Sequence, residues 1–155
     1  MKKFSFTLQA VLKIKRIFKK QKQAELAEAG AELDRLIMQK HSLEDKLEIS
    51  GREYQMALEV KINVSQMAWY NDYSEYLKDS ISQMKLKITA AQKRNEKVRA
   101  ELMALTRETD TLERLEKEQY RAYLAEVARD EEKRLDEVMS FQRTMCQNDT
   151  LHEMV

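Results

Sequence analysis

The sequence contains no proline and only two glycines, Gly30 and Gly51. A compact domain of this length needs such residues, because proline and glycine end helices and form tight chain reversals. Material for a globular interior is also scarce, since 35% of the residues are charged and only 7% are aromatic. These absences argue against a compact globular fold and favour long, uninterrupted helices.

Cysteine and histidine are too few to build the usual catalytic or metal sites. The single cysteine, Cys146, excludes a disulfide framework within the chain and a cysteine cluster for a metal. His41 and His152 lie far apart in the sequence, and neither has a second metal ligand at helical spacing. A glycine-rich phosphate loop and a nucleophile motif are lacking as well. We therefore predict a non-enzymatic protein with no cofactor, no metal and no small-molecule substrate.

Long apolar stretches are missing too. No run approaches the roughly 20 residues of a membrane-spanning helix, and the first residues lack the apolar core of a secretory signal. A single cysteine suits a reducing compartment. We expect a soluble protein of the cytoplasm.

The second half of the chain carries a continuous heptad pattern. Half of all residues are Ala, Glu, Lys, Leu or Arg, a composition typical of coiled coils when such a pattern accompanies it. The pattern predicts a second helix over about residues 72–141. Its seam comprises Leu77, Ile81, Met84, Ile88, Ala91, Asn95, Val98, Leu102, Leu105, Thr109 and Leu112. The two polar residues, Asn95 and Thr109, either set the register of the coiled coil or form a notch for a partner.

Beyond residue 112 the seam becomes polar and then changes register. Glu116, Gln119 and Tyr123 continue it. A change of heptad register then predicts that the seam continues through Leu124, Val127, Leu135 and Val138.

The first half carries a rougher heptad pattern, which predicts a first helix over about residues 4–62. Lys40 interrupts this pattern, and Phe4, Leu8, Val11 and Phe18 form a separate seam in another register. The main seam comprises Leu26, Leu33, Leu47 and Tyr54, with Ala29, Leu36, Leu43, Ala57 and Val64 on the same lattice.

A polar stretch around Trp69 separates the two patterns and predicts a turn at about residues 63–71. The predicted fold is all-α, a long antiparallel two-helix coiled coil, or helical hairpin. It forms a single domain over residues 1–155 with a flexible tail at about 142–155. The alternative is one continuous helix that dimerises in parallel.

The charge distribution favours the hairpin. Residues 1–22 carry eight bases and no acid, whereas residues 101–137 carry twelve acids against seven bases. A hairpin lays these two blocks side by side, whereas parallel pairing stacks each block on itself.

Two stretches of the sequence could bind a partner. The stretch from Phe4 to Lys22 is a basic amphipathic helix, a pattern found in membrane-surface helices, in protein-docking helices and at the end of a charged hairpin. Trp69, with tyrosines at 70, 73 and 76, forms either a cap over the turn or a protein-binding patch. Nucleic acid is not an expected partner, because no base-stacking or base-reading module accompanies the basic residues.

Three stretches together resemble the FliJ family of bacterial flagellar type III export and its injectisome stalk counterparts. They are Phe4-Ser5-Phe6-Thr7-Leu8-Gln9-Ala10-Val11-Leu12 at the start, Trp69-Tyr70-Asn71-Asp72-Tyr73-Ser74-Glu75-Tyr76-Leu77 in the middle, and Glu131-Glu132-Lys133-Arg134-Leu135-Asp136-Glu137 towards the end.

This resemblance implies a cytoplasmic stalk protein, held at the cytoplasmic face of the inner membrane through the export apparatus. Its expected partners are the hexameric flagellar export ATPase, whose central pore it would enter and whose assembly and activity it would promote, the cytoplasmic region of the membrane export gate, and export chaperones. A different class of function remains open, a structural coiled-coil adaptor that docks its basic amphipathic helix on an anionic membrane.

The resemblance also assigns residues to these contacts. Phe4 and Phe6 lie two residues apart, so they cannot both face one partner helix. One of them should point outward or belong to a frayed end, and binding to a partner would explain this arrangement. The expected ATPase-binding residues are Phe4, Phe6, Leu8, Leu12, Lys133, Leu135, Asp136 and Glu137. The expected gate-binding residues are Trp69, Tyr73, Tyr76, Ser80, Gln83 and Lys87, of which the last three are more polar than the family pattern.

Overall fold

A computed structural model describes residues 3–152, with side chains described for residues 3–147. The described residues form two α-helices, α1 (Gln9–Glu59) and α2 (Val64–His152). Because no proline interrupts either helix, their backbone hydrogen bonds run without a break over 51 and 89 residues. The predicted all-α fold of two long helices packed against each other is confirmed.

The turn between the helices lies earlier than expected, at residues 60–63 rather than 63–71. Lys61 has a φ of 67°, the left-handed conformation that ends many helices, and the Val60 amide bonds the Ala57 carbonyl. Asn63 then caps α2: its Oδ1 accepts the Gln66 amide at 2.9 Å, and Gln66 Oε1 accepts the Asn63 amide at 3.3 Å. This reciprocal capping box starts α2 before the aromatic stretch that was predicted to be the turn.

Two other helix limits also differ from prediction. The first helix begins at Gln9 rather than near residue 4, because the Gln9 amide bonds the Phe6 carbonyl in a turn that precedes it. The second helix continues through His152, where a tail from about residue 142 was expected. The last part of that predicted tail, residues 153–155, lies outside the described residues.

Contacts divide the chain into two compact units, which we describe separately. One unit contains residues 17–106. Here α1 and the first part of α2 run antiparallel, since Lys22 pairs with Glu101 and the rings of Tyr54 and Tyr70 lie 5.2 Å apart.

The seam of this unit matches the predicted heptads. Every predicted seam residue of α2 from Leu77 to Leu105 is buried or half-buried, as is every predicted one of α1 from Leu26 to Ala57. Val64 is the exception, 81% exposed beside the turn. Lys40 does not interrupt the seam, because it is half-buried there with its ammonium group 3.5 Å from Glu44. The buried residues of the seam are Ala29, Leu36, Ser50, Leu77, Ile81 and Val98.

The other unit contains residues 1–16 and 107–155, of which 3–16 and 107–152 are described. In the opening segment, Phe6 and Leu12 are 5% and 0% exposed, and on α2 Thr109 is fully buried. On α2, the half-buried positions continue from residue 112 through 116, 119, 123 and 127. The polar continuation of the seam is therefore confirmed.

The separate seam predicted for the opening segment is wrong. Leu8 is 37% exposed and Val11 is 42% exposed, and Phe18, in the other unit, is 48% exposed. Leu12 lies two heptads before Leu26, so the register of the long seam of α1 buries Leu12 and turns the predicted apolar residues outward.

The predicted register shift on α2 is also wrong. Leu124, Leu135 and Val138 are exposed, and only Val127 of that set is half-buried. The reason is that the packed side of α2 continues through Tyr123, whose ring contacts that of Phe4 in the opening segment. The next residue along a helix points about 100° away.

Candidate functional site

The C-terminal helix segment, residues 128–147 of α2, exposes all of its side chains. Such a helix is unusual, because helices in proteins are stabilised mainly by packing an apolar face. Five large apolar side chains on it are more than half exposed. They are Leu135, Val138, Met139, Phe141 and Met145.

The opening segment contains residues with two different roles. Phe6 and Leu12 are buried and hold the segment on α2, so they cannot contact a partner directly. Phe4 is half-buried, with its ring 5.1 Å from that of Tyr120 in an edge-to-face arrangement and 5.6 Å from that of Tyr123. Residues 3–8 precede α1, so the helical spacing that would separate Phe4 from Phe6 does not apply to them. This agrees with the expected alternative of a frayed end rather than an outward ring.

The exposed side of the opening segment is an apolar N-terminal stripe formed by Leu8, Val11 and Ile14. These side chains are 37%, 42% and 51% exposed. Leu8 is the one predicted ATPase-binding residue in it, and sequence reasoning did not assign the other two to that contact. The signal that could have found them is the heptad register of Leu12, which leaves the residues beside it without a partner.

The two halves of the predicted ATPase-binding set approach each other without forming one site. Lys3, Phe4 and Ser5 line a groove of about 340 Å³ against α2. Of the α2 residues that line it, Arg134 is nearest the C-terminus. The predicted residues Lys133, Leu135, Asp136 and Glu137 are exposed but do not line this groove. The remaining lining residues are Tyr123, Glu126, Val127 and Asp130.

Ion pairs join the basic opening block to the acidic part of α2, as the charge distribution predicted. Lys15 bonds Glu108, and the Arg16 guanidinium donates two hydrogen bonds to Glu113 Oε1, at 3.1 and 3.2 Å. These pairs neutralise part of the basic block. Lys13 is exposed on the same segment.

In the unit of residues 17–106, Lys22 reaches two carboxylates. Its Nζ lies 2.7 Å from Glu101 and 2.8 Å from Glu25. The hydrogen bond to Glu101 is the main reason that the pKa of Lys22 is raised, and the same bond lowers the pKa of the Glu101 carboxyl.

The aromatic cluster near the turn both packs and is exposed. Tyr70 packs against Tyr54 on α1, which supports the predicted cap. Trp69 stacks on Tyr73 with ring centroids 5.4 Å apart, yet Trp69 is 58% exposed and Tyr76 is 65% exposed. The cluster therefore also presents an aromatic surface.

The six predicted gate-binding residues follow one another at intervals of three or four, so they share one face of α2. Trp69, Tyr76, Gln83 and Lys87 on this face are exposed, and the other two are half-buried. The structure thus brings the set together as a stripe that is aromatic at one end and polar at the other.

Neither a metal site nor a membrane span is found among the described residues. In residues 3–147, whose side chains are described, no three His, Cys, Asp or Glu side chains are clustered so that they could hold an ion. Within the same part of the chain, neither helix has a segment of the length and apolar character needed to cross a bilayer.

Comparison with known proteins gives one family. The family model described as flagellar FliJ protein matches residues 4–145, which is most of the chain. Comparisons with curated proteins and with solved structures found no match.

Proposed function

Since this chain belongs to the FliJ family of flagellar type III export components, we propose that it acts as a stalk that binds the central pore of the hexameric export ATPase. In this role it promotes assembly and turnover of the hexamer and links it to the export gate and to export chaperones. It works by binding, without chemistry of its own. Its place is the cytoplasmic face of the inner membrane, where it is held by the export apparatus.

One observation carries this proposal: the C-terminal helix segment leaves all of its side chains uncovered. Leu135, Lys133, Asp136 and Glu137 lie on it, so the second half of the expected ATPase contact is accessible. A single helix is 10–12 Å across, which is narrow enough to enter the channel of a ring. Within the opening segment, the accessible contact is the N-terminal stripe, which includes Leu8.

The test is to mix the purified chain with the export ATPase and to measure hexamer formation and ATP turnover. Deletion of residues 1–12 is a poor probe, because it removes the buried Phe6 and Leu12 and would disturb packing. Exposed residues are better. We expect Leu135→Asp and the double variant Leu8→Asp with Val11→Asp each to reduce stimulation by about tenfold or more, as loss of apolar contacts at an interface centre does.

The matched control is Leu86→Asp, at a leucine that is 73% exposed in the other unit and outside the expected contacts. It should stimulate turnover as the unaltered chain does. No stimulation by the unaltered chain, or full stimulation by both variants, would contradict the ATPase-binding proposal.

The exposed aromatic stripe supports the proposed gate contact. Trp69 and Tyr76 are residue types that dominate binding energy at protein interfaces. We expect Trp69→Ala with Tyr76→Ala to weaken binding to the cytoplasmic region of the gate, and Met38→Ala, at another exposed apolar residue, to leave it unchanged. If the aromatic double variant bound the gate as tightly as the unaltered chain does, the gate contact would lie on another surface.

The N-terminal stripe also favours a second function, docking on an anionic membrane. Its apolar residues lie outward beside the exposed Lys13, as in helices that lie on lipid surfaces. Flotation with vesicles rich in anionic lipid tests it. Flotation of the unaltered chain that is lost with Leu8→Asp and Val11→Asp would support the adaptor, and absence of flotation would reject it.

A further inference from the structure

We propose that the C-terminal part of α2 is a self-association site, at which residues 128–145 of two copies of the chain pair as an antiparallel coiled coil. The inference goes beyond the proposed function and does not depend on it.

The first observation is an unpartnered heptad on α2. Starting at Leu124, positions at alternating steps of four and three residues form one face. The apolar members described above are about half exposed or more, so α1 does not cover this face. Its positions are Leu124, Ala128, Glu131, Leu135, Val138, Gln142 and Met145.

The face is also wide. Val127, Met139 and Phe141 occupy positions that flank the heptad core, where exposed two-stranded coils carry charges. Leu124 directly follows Tyr123, whose ring contacts Phe4, so the new face points about 100° away from the opening segment. A second helix can therefore approach it without displacing residues 3–16.

The sequence of this face is self-complementary in the antiparallel direction. In antiparallel pairing, Leu135 meets Val138 of the second copy, and Ala128 meets its Met145. Glu131 then meets Gln142 of the second copy, whose amide can donate a hydrogen bond to the carboxylate. Parallel pairing would instead press Glu131 against Glu131, two like charges in one core layer. The charge pattern therefore selects both a second copy and its orientation.

The buried area predicts a weak but specific dimer. Five large apolar side chains lie between residues 128 and 145, and they would bury roughly 500 Å² per copy, or about 1,000 Å² in total, the size of a weak interface. We expect the chain to convert from monomer to dimer as its concentration rises.

Sedimentation equilibrium of the full chain under reducing conditions tests the proposal. The double variant Leu135→Glu with Val138→Glu should raise the dissociation constant by at least tenfold, since both side chains are exposed in the monomer and the fold does not need them. The matched control is Leu86→Glu with Met38→Glu, at two exposed apolar residues of the other unit. It should dimerise like the unaltered chain.

Cross-linking tests the register. Glu132 and Met139 flank the core and lie opposite each other only in the antiparallel arrangement. With Cys146→Ser in both chains, a mixture of Glu132→Cys and Met139→Cys should form a disulfide-linked dimer, and neither variant alone should do so. A monomer throughout the range up to roughly 0.5 mM would overturn the proposal and leave this face to another protein. Dimers that persist in the Leu135/Val138 variant would overturn it equally.

Discussion

Single residues on this chain take their roles from helix register more than from hydrophobicity. Leu12 is fully buried, whereas Val11 and Ile14 beside it are about half exposed. The seam position that follows Leu12 belongs to Lys15, whose long aliphatic stem packs while its charge reaches Glu108. A lysine can therefore occupy a seam position and leave an isoleucine outside.

The two glycines make a direct prediction at this scale. A Cβ on Gly30 would meet only Asn95 Nδ2, at an ordinary 3.8 Å, and a Cβ on Gly51 would meet nothing within 4 Å. Because glycine costs a helix about 1 kcal/mol relative to alanine, Gly30→Ala and Gly51→Ala should each raise the free energy of unfolding by about that amount. Urea titration measures it. The converse control, Ala31→Gly at an exposed neighbour, should lower the free energy of unfolding by a similar amount. Destabilisation by Gly30→Ala would show that the packing around Gly30 is tighter than the 3.8 Å contact indicates.

At the scale of elements, the turn and its caps decide where each helix ends. Lys61 adopts a conformation that costs a residue with a Cβ roughly 1 kcal/mol, and the capping box of Asn63 and Gln66 follows at once. These local features place the turn at residues 60–63, although the surrounding composition resembles a longer loop.

Replacement of Lys61 tests the strain at the turn. Lys61→Gly should stabilise the chain by up to about 1 kcal/mol, because glycine adopts a positive φ without steric cost. Lys61→Val should destabilise it, because a β-branched residue suits this conformation least. Both changes are read from chemical denaturation. Equal stability of the two variants would mean that the turn can relax to another conformation.

Between the elements, the Lys22 to Glu101 pair predicts a pH dependence. The folded pKa of Glu101 is lowered from its ordinary value of 4.5, so the pair stabilises the fold above about that pH and is lost as the pH falls through the lowered pKa. The folded pKa of Lys22 is raised from 10.5. The stabilisation by the pair is therefore fully present below pH 10.5 and is lost as the pH rises through the raised pKa. Glu101→Gln should therefore lower Tm at pH 7 and lower it progressively less in acid, as the pH falls below 4.5.

Glu75→Gln, at an exposed carboxylate of the same helix, serves as the control for this measurement. It should change Tm little at either pH. A Tm difference for Glu101→Gln that persists undiminished in acid would show that packing, rather than charge, causes it.

At the scale of the whole molecule, chain direction is the property that most depends on pairing. Within residues 17–106, the residue number of the partner on α2 decreases as the residue number on α1 increases, from Lys22 with Glu101 to Tyr54 with Tyr70. This pairing is antiparallel and within one chain, and it excludes the single continuous helix that was the alternative.

Spin labels test the direction in solution. With Cys146→Ser, labels on Glu28 and Glu96, both exposed, should lie close together in a sample diluted with unlabelled protein. Labels on Glu28 and Glu75 should lie roughly 20 Å further apart, because Glu75 lies 21 residues before Glu96 on α2, nearer the turn. A distance near 100 Å for the first pair would instead indicate one continuous helix.

The sequence by itself determined the helical class, the antiparallel pairing and most of the seam. Heptad spacing reports which side of a helix is apolar, and Leu77 to Leu105 occupy that side in the structure. The charge blocks gave the direction, because opposite charges must face each other. The family resemblance, carried by three short motifs, agrees with the match over residues 4–145.

Only the tertiary structure decided which apolar residues near the two ends are covered. Phe6 and Leu12 became packing residues and Leu8 an exposed one, although the family resemblance assigns all three to the same expected contact. The C-terminal helix segment, in contrast, remains exposed over residues 128–147. Periodicity shows that a helix has an apolar face but not what covers it, since burial depends on where the partner helix begins and in which register it lies.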